Sequence, residues 1–94
     1  MAFESLVFRV HAVQRMFQRH VGEPDVRHVL SAGTVIERYL EDRPYPSYLM
    51  LGWVGSRPLH VVVADNSEAR ETIIITVYEP DPLQWDADFV RRKR

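Results

Sequence analysis

Three polar side chains stand inside a stretch otherwise crowded with valine and isoleucine: His60, Thr76 and Tyr78, with Arg57 at its margin. Imidazole titrates near neutrality, so His60 can serve as a general acid or base, and Tyr78 can take either role beside it. A structural histidine, hydrogen-bonded to backbone or tyrosine in a half-buried strand, is the plainer alternative. A second set is His11, Arg15 and Arg19, spaced one helical turn apart. Guanidinium groups grip phosphate oxygens through paired hydrogen bonds, which makes this strip a candidate anion-binding face. The alternative there is an ordinary solvated helix surface. Arg57 and the basic tail Arg91, Arg92, Lys93, Arg94 are placed to extend the strip.

Other chemistries find no footing. The chain has no cysteine, hence no disulfide, thiolate nucleophile or cysteine-ligated zinc. No two histidines share the four-residue helical spacing of a metal pair, so no metal site is expected. Glycine-rich phosphate loops, dinucleotide fingerprints and serine elbows are absent, and no cofactor is expected. Tyr39, Tyr45, Tyr48, Trp53 and Trp85 read as core or interface residues rather than a base-stacking platform.

With 94 residues, 46% hydrophobic and 27% charged, the chain has the composition of one ordinary globular domain spanning 1–94. No apolar run reaches the roughly 20 residues that span a bilayer, and no signal peptide is visible, which fits a cytoplasmic protein without membrane partners. The formal net charge of −1 is not that of a dedicated nucleic-acid binder, which is usually basic throughout. Charge is unevenly spread, however. Residues 1–32 hold four Arg and three acids, and the tail is wholly basic, so a local basic surface survives.

The elements that would position these residues follow from pattern. Phe8 to His20 has helical periodicity, with Val10, Ala12, Val13, Met16 and Phe17 on one side and His11, Gln14, Arg15, Gln18 and Arg19 on the other. Met1 to Val7 reads as an extended arm or the start of that helix. Gly22 breaks it, and Glu23-Pro24-Asp25 opens a second helix ending near Gly33, a candidate left-handed cap. Thr34 to Tyr39 alternates as a strand, with Val35 and Tyr39 on one face. Pro44 and Pro46 mark a loop, and Tyr48 to Trp53 a further strand, with Gly52 and Gly55 preparing the next turn. Arg57 to Asp81 reads as a β-hairpin turning at Asp65 to Arg70, its near-continuous apolar arms belonging in the centre of a sheet. If Ala64 pairs with Thr72, His60 faces Thr76 with Tyr78 diagonal to it; a one-residue slip puts Ile75 there and dissolves the cluster. Leu83 to Val90, after Pro80 and Pro82, reads as a short helix or an arm. Helices followed by strands give an α+β fold: two N-terminal helices on a four-stranded antiparallel sheet.

Taken together, His11-Ala12 with Arg15-Met16 and Arg19, Gly33 with Val35-Ile36-Glu37 and Tyr39, and Asp42 with Pro44-Tyr45-Pro46-Ser47 form a recognisable series. It continues through Gly52, Arg57-Pro58-Leu59-His60-Val61-Val62, Ile74-Ile75-Thr76-Val77-Tyr78 and Pro80-Asp81. This series resembles a bacterial domain-of-unknown-function family, DUF4258, over about residues 9–92. That family looks like a remote relative of the RelE-like toxins, several of which are metal-independent ribonucleases held in check by an antitoxin. The resemblance implies an RNA substrate and a cognate antitoxin of zinc-finger or helix-turn-helix type; a homodimer is the other candidate assembly. It implies attack of a 2′-hydroxyl on the adjacent phosphate, with acid, base and Arg in support. The near-neutral charge departs from the basic character usual in ribosome-dependent toxins.

The expectation from the sequence is thus a small RelE-like ribonuclease toxin. His60 and Tyr78 transfer protons with His11 assisting, and Arg15, Arg57, Arg19 and Thr76 bind substrate. The competing expectation is a non-catalytic protein-interaction module of the same fold; a small-molecule sensor is the third. Convergence of His11, Arg15, His60 and Tyr78 in one concavity favours the enzyme, whereas scatter of those side chains, or burial of His60 beneath Ile and Val, favours the module.

Overall fold

The computed structural model describes residues 5–93. Strand β1 (Ser5–Phe8) leads into helices α1 (Val10–Arg19) and α2 (Glu23–Ala32), and then β2 (Thr34–Tyr39), β3 (Ser47–Val54), β4 (Arg57–Asn66) and β5 (Glu71–Tyr78) follow. The α+β class and the two helices are as expected. The sheet is not: it has five strands in the order β1-β5-β4-β3-β2, and it is mixed, because β1 runs parallel to β5. The residues read as an arm or helix start supply that extra strand as far as they are described; residues 1–4 lie outside the described region. Four residues are too few for alternation to show, and the partner strand lies more than sixty residues away in sequence, so nothing local announced the pairing.

Both helices cover one face of the sheet. Ala12, Met16, Val26, Val29 and Leu30 close over Met50, Leu59, Val61, Val63, Ile74 and Val77 to form the core. The two inner hairpin strands are buried on both faces, which accounts for their continuous apolar character. Helix α2 starts at Gly22, whose N–H donates to the Asp25 carboxylate at 2.9 Å, with Pro24 in its first turn.

Helix α1 departs from the pattern drawn from its sequence. Its apolar side is split. Ala12 and Met16 face the sheet, whereas Val10, Val13 and Phe17 point outward, Val10 and Phe17 being 74% and 85% exposed. At about 100° per residue those three lie roughly 110° round the helix from Ala12 and Met16. Because α1 packs along β5, near one edge of the sheet, the sheet covers only a narrow arc of it. Its buried arc also carries the half-buried Arg15.

Two glycines serve a purpose other than the one their positions suggested. Gly33 is extended (φ −82°), not left-handed. Gly52 lies within β3 rather than in a turn. What both need is closeness: a Cβ on Gly33 would sit 2.5 Å from the carbonyl oxygens of Leu51 and Val29, and one on Gly52 would sit 2.7 Å from Val29 Cγ2 and 3.0 Å from its Cα. This is where α2 lies against β3. Gly52→Ala should therefore destabilise the fold by about 1–3 kcal/mol, the usual cost of overpacking, read as a lowered urea midpoint at constant slope.

Candidate functional site

Two one-residue irregularities decide which side chains reach the sheet face away from the helices. In β5, Ile74 pairs with Val63 and Thr76 with Val62, leaving Ile75 as an extra residue. The turn end pairs Asp65 with Thr72, and beyond the bulge His60 stands directly opposite Tyr78. Neither register considered from the sequence is therefore right: His60 faces neither Thr76 nor Ile75. Without the bulge, Tyr78 and Thr76 would share the helix-covered face with Ile74; with it, they join His60 on the other. A second bulge, at Ile36 in β2, puts Glu37 and Tyr39 on that same face while Val35 stays with the core. The expected sharing of one face by Val35 and Tyr39 fails for this reason.

The far face at this end is roofed by the segment after β5. Leu83 to Val90 does not form a helix. Trp85 bridges to Arg92, and the Lys93 N–H donates to the Gln84 carbonyl at 2.8 Å, folding the segment into a small hairpin-like arm. The Asp88 carboxylate accepts from the N–H groups of Val90 and Arg91, a local turn that competes with helix. Trp85 is buried against His60, ring centroids 4.5 Å apart and nearly perpendicular, and Arg92 lies 4.5 Å over the Trp85 ring while pairing with Glu37 at 3.3 Å.

His60 is fully buried beneath this arm (0% exposed). Its Nε2 lies 2.8 Å from the Phe89 carbonyl oxygen, which can only accept, so Nε2 carries the proton. Nδ1 is then the acceptor for the Tyr78 hydroxyl at 3.2 Å. Burial holds the imidazole below its ordinary pKa, only partly opposed by the Phe89 carbonyl. Burial likewise raises the Tyr78 phenol, partly opposed by Arg92. The pair is neutral at pH 7, and its one half-exposed member is Tyr78.

Tyr78 opens onto a cleft of about 290 Å³ where β1 has ended and the edge of β5 is bare, lined by Arg15 and Arg19 of α1, Thr76 and Tyr78 of β5, and Arg92 of the arm, among others. Four of the expected site residues thus meet here, and His60 stands behind them in contact with Tyr78. Among the described residues neither Arg15 nor Arg19 has an ion-pair partner. Glu79 and Asp81 also border the cleft, but each is engaged, Glu79 by Arg57 and Asp81 by the Leu83 N–H.

Two expected residues lie elsewhere. Arg57 is a clamp: it pairs with Glu79 and donates to the carbonyls of Arg19 and His20 at the end of α1, where unpaired carbonyls favour a cation. His11 lines a separate hollow beside the β2–β3 connection. Trp85, read from the sequence as a core or interface residue, is indeed buried, but neither it nor the Phe89 carbonyl is placed at the site by the sequence, and Arg92 enters there only as part of a basic tail. A buried tryptophan beyond two prolines was the available signal, since it must anchor its segment to something. Among the described residues no group of three His, Asp or Glu is arranged to hold a metal, and no helix is long and apolar enough to cross a membrane.

Fold and site together define an α+β domain with two helices on one face of a mixed five-stranded sheet and an arginine-lined cleft at the sheet edge. The chain belongs to the family described as domain of unknown function DUF4258, whose model matches residues 8–79. No curated protein and no solved structure matches it.

Because His60 titrates lower in the folded chain than in the unfolded one, its contribution to stability is present above the unfolded pKa of about 6.5 and is lost as pH falls through the folded value. Acidification from pH 7 to 5 should lower the unfolding midpoint of the wild type. His60→Leu, less stable at pH 7 by about 1–3 kcal/mol because it leaves Tyr78 and Phe89 without their partner, should show a shallower decline.

Proposed function

We propose that the protein is a metal-independent endoribonuclease of RelE-like type, acting through Tyr78 with His60 behind it. The observation that carries this reading is one constellation: two unpaired guanidinium groups, Arg15 and Arg19, in the same open cleft as a phenol hydrogen-bonded to a neutral buried imidazole. Arginines grip the phosphodiester and stabilise the charge that gathers on its oxygens. The 2′-oxygen attacks phosphorus and its proton passes to the Tyr78 oxygen, whose own proton moves to His60 Nδ1. The P–O5′ bond breaks to leave a 2′,3′-cyclic phosphate, and the 5′-oxygen takes a proton from water in the cleft. That proton is made good as His60 Nδ1 returns its own through Tyr78, leaving the imidazole neutral again. His60, kept from substrate by the arm, is a positioning and proton-holding residue. Arg57 and His11, assigned to the site from the sequence, have no part in this step. A toxin role with a cognate antitoxin is the biological setting that agrees with such an activity.

Specific observations favour a second reading, the non-catalytic interaction module. His11 stands in a separate hollow and His60 is fully buried, so only Arg15 and Tyr78 of the four residues expected to converge line the cleft. The stripe Val10, Val13 and Phe17 is exposed along α1, and isolated apolar stripes of that kind mark contact surfaces.

Incubating purified protein with single-stranded RNA in the presence of a chelator separates the two. The ribonuclease reading expects cleavage with 2′,3′-cyclic phosphate ends, about 100-fold or more slower in Tyr78→Phe and in Arg15→Ala, with Tyr78→Phe still binding RNA. Cleavage unchanged in Tyr78→Phe overturns the proposed role of Tyr78, and cleavage absent from wild type at high concentration leaves the interaction module.

A further inference from the structure

A second hollow, of about 420 Å³, shares no lining residue with the cleft but is built on earlier residues of the same two elements, α1 and β5. Its lining includes Ala64 and Ile75 from the sheet, Arg43 and Tyr45 from the β2–β3 connection, and Arg9 and His11 from the start of α1. The two hollows are consecutive on both walls. On β5, Ile75 belongs to one and Thr76 to the other; on α1, His11 belongs to one and Arg15, one turn on, to the other. The four residues from His11 to Arg15 advance about 6 Å along the helix, on the scale of one nucleotide of an extended strand.

The chemistry of this second hollow differs from that of the cleft. Ala64 and Ile75 make its sheet side largely apolar, with Ser47 of β3 the polar exception; Tyr45 supplies an aromatic ring, and Arg9, His11 and Arg43 are part of its lining. Tyr45 is held in place by Asn66, whose amide donates to its hydroxyl at 3.1 Å. Asp42, which accepts from the Ser47 hydroxyl at 2.5 Å, leaves a second acceptor oxygen beside the opening. A largely apolar slot with an aromatic wall, polar acceptors and basic side chains fits a flat heterocycle attached to an anion.

We propose that this hollow receives the base of the nucleotide next to the phosphate held by Arg15 and Arg19, packed against Tyr45, with Arg9 and Arg43 on the flanking phosphate. This rests on the phosphodiester reading of the cleft and adds a second subsite to it. Tyr45, expected from the sequence to be a core or interface residue, becomes the stacking surface.

The test measures fluorescence anisotropy of a labelled single-stranded RNA tetranucleotide on the Tyr78→Phe protein, where the RNA stays intact. Each position is replaced in turn by an abasic ribose, which keeps every phosphate and removes one base. One abasic position should weaken binding about 5- to 100-fold, the range of one base–aromatic stack. Adding Tyr45→Ala should weaken the intact RNA to that level and erase the difference, while Tyr45→Phe should preserve it. Equal affinity for the intact and every abasic RNA, or an abasic penalty that survives Tyr45→Ala, overturns the base subsite and leaves the phosphate cleft standing. Absence of binding by any of these RNAs overturns both.

Discussion

A neutral imidazole with both nitrogens engaged ties the paired strands β4 and β5 to the arm that roofs them. His60 belongs to β4, the hydroxyl it accepts from belongs to β5, and the carbonyl it donates to belongs to the arm. Were the ring charged, Nδ1 would also carry a hydrogen, and the Tyr78 hydroxyl would have to turn and accept. Burying that charge among Trp85, Tyr78 and Phe89 would be costly, so the ring's neutrality and the closure of the arm support one another. The orientation of the phenol, and hence the character of the cleft, depends on this joint.

The cleft exists because the sheet is irregular. A regular β5 would send Tyr78 toward the helices, into a core made of Val61, Ile74 and Val77. One extra residue reverses that, and a second bulge on β2 sends Glu37 to meet Arg92 on the same side. Extra residues of this kind reaim side chains at a small local cost in ladder hydrogen bonds. Here they give the sheet two unlike faces: one an ordinary apolar core, the other a polar joint roofed by the arm. Arg57, by holding the end of α1 to Glu79, fixes the helix carrying Arg15 and Arg19 against the strand carrying Tyr78.

What the sequence disclosed and what it withheld divide along a physical line. Period and propensity are local, and they located both helices, the strand starting at Thr34, the central hairpin and the grouping of Arg15 and Arg19 on one stretch of α1. The proximity of His60 to Tyr78 was legible because a hairpin brings its arms together in any register. Quantities set by distant partners were not legible. The pairing of β1 with β5, the outward turn of Val10, Val13 and Phe17, and the role of Arg57 as a clamp on a helix 38 residues away all depend on tertiary placement. The bulges escaped because Ile36 and Ile75 sit in runs of β-branched residues that suit a regular strand equally well. Burial of His60 needed the arm, and the arm's turns follow from Asp88 and the prolines only once Trp85 is seen to be anchored.

The arm also has a consequence for the order in which this domain becomes competent. Every element of the sheet precedes it, and the residues matched by the family model end at 79, before it begins. A chain lengthening from its N-terminus therefore completes the hairpin while His60 still lies on an uncovered sheet face, hydrated and without its Phe89 acceptor. Without the arm the imidazole would lack the burial that lowers its pKa and the acceptor that fixes its tautomer. Only when Trp85 settles does the ring lose its water. The segment that follows the sheet, beyond the residues the family model matches, is thus the part that sets the protonation state of its centre.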